Sequence, residues 1–214
     1  MIKKLFILFL LSALSVTVLA DGQQGAVDNY YGNKTEYVDL EGFEWASPAI
    51  YHLAEYGLID DDNGRVYPQR YINRAQFTKL LIGAFGLYDF DAECSFDDLD
   101  KSSEYYPYIA SAYKLGIVKG VRIDTFGINE NLLRQDMATM IYRTALLCGM
   151  DMSKKPVLDF VDTKSIDGYA RDAVSALVGM GAVSGNLSYQ FLPKKEANFA
   201  EACKILYYIM LKNT

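Results

Sequence analysis

The sequence predicts an all-α protein in which three copies of a helix-loop-helix unit pack into one domain. Three observations point there. Glycines at the end of an apolar run recur as Gly57, Gly116 and Gly181, separated by 59 and 65 residues. The order around each is the same: an aromatic and an aspartate (Tyr37-Val38-Asp39, Phe96-Asp97-Asp98, Phe160-Val161-Asp162), a first apolar run, the glycine, then a second apolar run. A unit of two short helices exposes an apolar face it cannot cover alone, so such copies are expected to close on each other.

Residues 1–20 carry Lys3-Lys4, the apolar run Leu5 to Leu14 and Val18-Leu19-Ala20, the three parts of a secretory signal peptide. No membrane span is expected in the mature chain, because that run is short for a bilayer. Residues 21–36 are polar and aperiodic and read as a flexible leader. Residues 37–214 then form a single three-repeat domain, with repeats at about 37–88, 96–148 and 160–212. Without Lys3 and Lys4, 19 basic residues face 27 acidic ones, a net charge of −8. No basic face is concentrated anywhere, so nucleic acid is not an expected partner.

In the first copy Ser47-Pro48 predicts a capped helix start with proline in the first turn. Ile50, Leu53 and Ala54 form the apolar stripe, and Gly57 is the left-handed stop. Pro107 opens the second copy, with Ile109, Ala112 and Tyr113 on the stripe before Gly116. The third copy lacks the proline and keeps the stripe as Ala173, Val174 and Leu177. The run Asp60-Asp61-Asp62-Asn63-Gly64 does not keep calcium-loop register and reads as a solvated acidic turn.

The second helix of each copy begins after a cap position. Asn73 with Gln76, and Asn198 with Glu201, form capping-box pairs. Leu133 occupies that position in the second copy, where only Asp136 can help, through the helix dipole. The stripes are Phe77, Leu80, Leu81 and Ala84; Met137, Met140, Ile141 and Ala145; and Ala202, Ile205, Leu206, Ile209 and Met210. Cys94, Cys148 and Cys203 have no CxxC spacing and read as structural thiols. The only histidine, His52, has no nucleophile context, and the acidic residues are scattered over loops, so neither an enzyme nor a metal or cofactor site is expected.

The ordered set of Phe-x-Asp, an aromatic leading into an Ala/Ile-rich helix, Gly-Ile-Val-x-Gly, Phe, and Arg near a helix start resembles the S-layer homology domain. The resemblance covers about residues 37–212. It implies a pseudo-threefold, all-α trimer of helix-loop-helix repeats around a central helical bundle. It implies a secreted protein at the cell wall or cell surface (S-layer), held there through a secondary cell-wall polysaccharide, commonly one ending in a pyruvylated sugar. The family's Thr-Arg-Ala-Glu motif corresponds to Asn73-Arg74-Ala75-Gln76 and Leu133-Arg134-Gln135-Asp136. In Asn198-Phe199-Ala200-Glu201, Phe199 stands where the arginine belongs, which puts one groove in question.

The carbohydrate-binding set that follows is Arg74, Arg134, Asp39, Asp98, Trp45, Tyr105, Gly116 and Gly120. A guanidinium pairs with a ketal carboxylate through two parallel hydrogen bonds, and N–H groups at a helix start attract the same charge. Trp45, Tyr105 and Tyr169 are placed to stack on sugar faces or to pack between repeats. Gly116 and Gly120, like Gly181 and Gly185, let a ligand approach the backbone. In the competing reading of the arginines, they bridge repeats through Asp39, Asp98 or Asp162. A competing function is a degenerate repeat scaffold working through self-assembly or contacts with other S-layer or envelope proteins.

Overall fold

The computed structural model describes residues 36–213, so the expected signal peptide and all but the last residue of the expected leader lie outside the described residues. The described chain contains six α-helices and no strand: α1 Ser47–Glu55, α2 Arg74–Ala84, α3 Tyr106–Lys114, α4 Arg134–Leu147, α5 Arg171–Met180 and α6 Phe199–Lys212. Each copy contributes two.

The chain closes at the entries to the second helices. Ile72, Leu132 and Ala197 occupy the same place in the three copies and form a ring of backbone hydrogen bonds. Leu132 N–H donates to Ile72 O at 2.9 Å, Ile72 N–H to Ala197 O at 3.0 Å, and Ala197 N–H to Leu132 O at 2.8 Å. All three side chains are fully buried. One residue further out the pattern repeats, with single antiparallel bridges Tyr71 to Asn198, Asn131 to Asn73 and Glu196 to Leu133. Three equivalent contacts in cyclic order are the signature of threefold pseudosymmetry, and α2 and α4 both pack on α6 at the middle.

The outer helices pair between copies. The principal partner of α3 is α2, that of α5 is α4, and that of α1 is α6. A first helix therefore covers the second helix of the preceding copy, and the third copy is closed by the first. Burying a Phe, Leu or Ile side chain stabilises by about 1.5–3 kcal/mol; Ile50, Leu53, Phe77, Leu81, Ile109 and Leu206 are all fully covered by this exchange. No copy could bury its stripe alone.

Local signals hold with two corrections. Asn73 and Asn198 each form the complete capping box, accepting from Gln76 N–H and Glu201 N–H at 2.8 Å while those side chains accept from the cap backbone. Gly57, Gly116 and Gly181 end their helices at positive φ, and Leu58 N–H returns to Leu53 O at 3.2 Å to close the first. Ser47, in contrast, is inside α1 and caps nothing. The preceding turn already starts the helix at Ala46, and the Ser47 hydroxyl donates back to Phe43 O at 3.4 Å. Tyr113 is not in the stripe: it is 45% exposed and meets Phe96 edge-on, while Ala110 takes the buried place.

The three cysteines are free thiols, with Cys203 fully buried. Among the described residues no helix is long and apolar enough to cross a membrane.

Candidate functional site: three grooves between the copies

Each glycine-ended loop faces the second helix of its own copy, and the space between them is walled by the other two copies. The result is three related grooves. The first has a volume of 410 Å³, the second 360 Å³ and the third 300 Å³. Volumes of this order suit small-molecule sites, which run from about 300 to 1,000 Å³.

The second groove has the largest excess of cations over carboxylates. Its floor is Ile117 to Gly120 with Asp136, Thr139, Met140 and Arg143 of α4; Arg74 enters from the first copy and Tyr169 from the third. Arg74 lies with its guanidinium 5.0 Å from the centre of the Phe126 ring, and its Nε–H donates to Phe126 O at 3.1 Å. Burial pushes its pKa down from the ordinary range, against the pull of Asp136 and Glu130. Arg143 Nη1 donates to Ile117 O at 2.9 Å. The Tyr169 hydroxyl donates to Asp136 and is placed by Gln135 at 2.8 Å. Burial first, then that carboxylate, push its pKa far up, so the phenol keeps its proton.

The third groove repeats the plan with different residues. Ala182 to Ser184 and Glu201, Lys204 and Ile205 of α6 are its own copy's share; Arg134 comes from the second copy and Trp45 from the first. Arg134 lies 5.3 Å from the Phe191 ring centre, its Nε–H donates to Phe191 O at 3.0 Å, and Nη1 is 3.5 Å from Glu201. Lys204 Nζ is 5.1 Å from the centre of the Trp45 ring.

The first groove holds Leu58 and Asp60 to Asp62 from its loop, Gln76, Lys79 and Leu80 from α2, Glu104 and Tyr105 from the second copy, and Phe199 from the third. Arg65 and Arg70 also face it. Lys79 Nζ bonds Asp60 and Glu104, both at 2.8 Å. Burial opposes the charge on Lys79, but these two hydrogen-bonded carboxylates win and raise its pKa.

The predicted residues thus separate into two groups. Arg74, Arg134, Trp45, Tyr105 and Gly120 wall grooves, and each groove takes its aromatic from one copy and its helix-start position from another. Asp39, Asp98 and Gly116 line none of the three. Asp39 accepts from Val66 N–H at 3.1 Å and Tyr67 N–H at 2.8 Å, and Asp98 from Phe126, Gly127 and Ile128 N–H at 2.7, 2.7 and 3.0 Å. Asp162 does the same for Phe191 and Leu192. These carboxylates latch the start of each copy to the loop before its second helix, and the arginines bond loop carbonyls instead of them.

Helix-start N–H groups do not face the grooves as free donors. Arg74 N–H donates to Glu130 O, Arg134 N–H to Lys195 O and Phe199 N–H to Arg70 O, at 2.9–3.0 Å. The neighbouring copy supplies what a cap would, which is why α4 tolerates Leu133 with no side-chain cap. Charge recognition therefore falls to side chains. Of those, sequence reasoning passed over Lys119, Arg143 and Lys204, although Lys204 lies one helical turn from Glu201 on the same face.

Comparison with known proteins finds the same three copies along the chain. The S-layer homology domain family matches at residues 36–78, 95–138 and 159–203. An endoglucanase of Bacillus sp. (strain KSM-635) is 26% identical over 213 residues, 99% of this chain and 22% of that protein. An S-layer protein of Bacillus thuringiensis subsp. finitimus is 26% identical over 192 residues, 89% of this chain and 23% of its own length. An amylopullulanase of Thermoanaerobacterium thermosulfurigenes is 28% identical over 171 residues, 79% of this chain and 9% of that protein. The chain spans less than a quarter of each of these relatives.

Proposed function

The chain belongs to the S-layer homology domain family, whose domains are binding modules that anchor proteins at the cell wall, and from that premise we propose that it holds an exported protein on a secondary cell-wall polysaccharide bearing an anionic, pyruvylated sugar. The observation that carries this is the second groove. Arg74, Lys119 and Arg143 face a single carboxylate, Asp136, and the proton of Tyr169 already answers that carboxylate. The excess of cation is available to a ligand acid.

A pyruvate ketal presents one carboxylate on a rigid sugar ring. A planar guanidinium matches it through two parallel N–H···O bonds, and a tyrosine or tryptophan flank offers an apolar surface to the ring's C–H face. Arg74 is suited because its Nε–H is already fixed on Phe126 O and its plane is fixed by the Phe126 ring, so little side-chain freedom is lost on binding. Arg134 offers the same arrangement in the third groove, at lower net charge because Glu201 is within reach. Chemistry on the polymer is no part of this reading: the grooves bind.

The test is co-sedimentation of residues 21–214 with purified wall, before and after mild acid treatment that hydrolyses ketals. Binding should fall on ketal removal and in Arg74→Ala/Arg134→Ala, with circular dichroism confirming the fold of the variant. Equal binding by a folded double variant would reject the arginines as the site, and an oligomer with no wall affinity would favour the scaffold reading.

A further inference from the structure

The third copy lacks the motif arginine, and Phe199 in its place leaves the first groove without a guanidinium at the helix start. The structure supplies one from elsewhere. In the second and third grooves, an arginine at a helix start donates Nε–H to the carbonyl of a loop residue and lies over that residue's ring: Arg74 on Phe126, Arg134 on Phe191. The equivalent loop residue in the first copy is Val66, which has no ring. Here Arg70, four residues further along the same loop, donates Nε–H to Val66 O at 3.3 Å. Its guanidinium lies 4.5 Å from the centre of the Phe199 ring.

The ring and the cation have exchanged places. In two grooves the helix start gives the arginine and the loop gives the ring; in the first groove the helix start gives the ring and the loop gives the arginine. The carbonyl that fixes Nε is the same in all three. A second bond, Arg70 Nη1 to Gln76 Oε1 at 3.1 Å, holds the fork on the α2 side, and Phe199 N–H to Arg70 O at 2.9 Å ties the two segments together.

We propose that Arg70 replaces the arginine absent at Phe199, so that the first groove is a third carboxylate-binding site. This rests on the reading of the grooves as sites for an acidic wall sugar. Tyr105 stands where Tyr169 and Trp45 stand in the other two. The first groove also carries Asp60, Asp61, Asp62 and Glu104. Lys79 holds Asp60 and Glu104, and Asp61 accepts Gly64 N–H at 2.8 Å. The remaining negative field makes this the weakest of the three sites, and the one whose affinity for an acid falls least with added salt, because screening weakens its repulsion as well as its attraction.

The experiment is titration of residues 21–214 with the methyl glycoside of a hexose carrying a cyclic pyruvate ketal, followed by the arginine Nε–Hε NMR signals. Arg70, Arg74 and Arg134 are expected to shift, with Arg70 saturating last. Shifts at Arg74 and Arg134 with Arg70 unmoved would overturn this inference and leave the wall-sugar reading standing; no shift at any of the three would sink both. As a second arm, Arg70→Ala should weaken the Tyr105 ring response about tenfold, the scale of one charge-assisted hydrogen bond, and Arg70→Ala/Phe199→Arg should restore it. Failure of that double variant to recover the response, in a folded protein, also counts against the exchange.

Discussion

Replacing Asp98 by alanine should cost the fold, not the affinity of any surviving groove. The Asp98 carboxylate accepts three backbone N–H groups, from Phe126, Gly127 and Ile128, at 2.7–3.0 Å. Hydrogen bonds to a buried charge contribute about 1.5–3 kcal/mol each, and for this half-exposed group, where water re-solvates the freed donors, about 1 kcal/mol each is the better figure. Asp98→Ala should therefore lose about 3 kcal/mol, or about 6–12 °C in Tm for a domain of this size. Asp98→Asn keeps one acceptor but turns an NH2 group toward N–H donors, so it should recover less than half. Asp39 and Asp162 make two such bonds each, and their alanine variants should lose about 2 kcal/mol by the same reckoning.

Urea denaturation followed by circular dichroism measures these losses, with the exposed neighbour Asp97→Ala as a near-neutral control. The pH dependence has a definite sign. Partial burial pushes the Asp98 carboxyl up, but the three backbone N–H groups outweigh it and leave its pKa below the ordinary range. Its contribution is complete above the unfolded-state value and lost as pH falls through the folded one, so wild type and Asp98→Ala should converge in strong acid. An Asp98→Ala protein within 0.5 kcal/mol of wild type at neutral pH, a difference of about twofold in the folding constant, would refute the latch.

Other outcomes follow from single sites. Trp45 is the only tryptophan and flanks the groove of Arg134, so wall-sugar binding should change its emission, and Arg134→Ala should abolish the change while leaving binding at the second groove. Gly120→Ala should destabilise by at least about 2 kcal/mol, because φ is +80° and a Cβ would lie 2.7 Å from Thr125 O and 2.8 Å from Arg122 O. Gly42→Ala, at φ +78° with open space around it, should cost about 1 kcal/mol by backbone strain alone in the same urea assay. A thiol reagent should modify Cys94 and Cys148 in the native protein and Cys203 only on unfolding, since burial pushes that thiol's pKa far up; three equal rates would contradict the packing of α6.

Much of this protein is written in short-range pattern. The helices start and stop where cap residues, prolines and glycines say they should, because those signals act within four residues of chain: Asn73 with Gln76, Asn198 with Glu201, Gly57 after Leu53. The buried stripes and the threefold repetition are legible for the same reason. Where a local signal was misread, as at Ser47, a neighbouring turn had already begun the helix.

The tertiary structure decided the rest, because closure brings together residues far apart in the chain. Asp39 and Asp98 look like ligand groups in sequence and prove to be latches only when Val66 and Phe126, 27 and 28 residues on, are seen to donate to them. Each groove draws on all three copies, so no single repeat shows its composition. Arg70 meets Phe199 only because the third copy folds back on the first. Composition and periodicity specify which faces must be covered; threefold closure alone specifies what covers them, since apolar burial is non-directional and the cyclic backbone bonds at Ile72, Leu132 and Ala197 set the register.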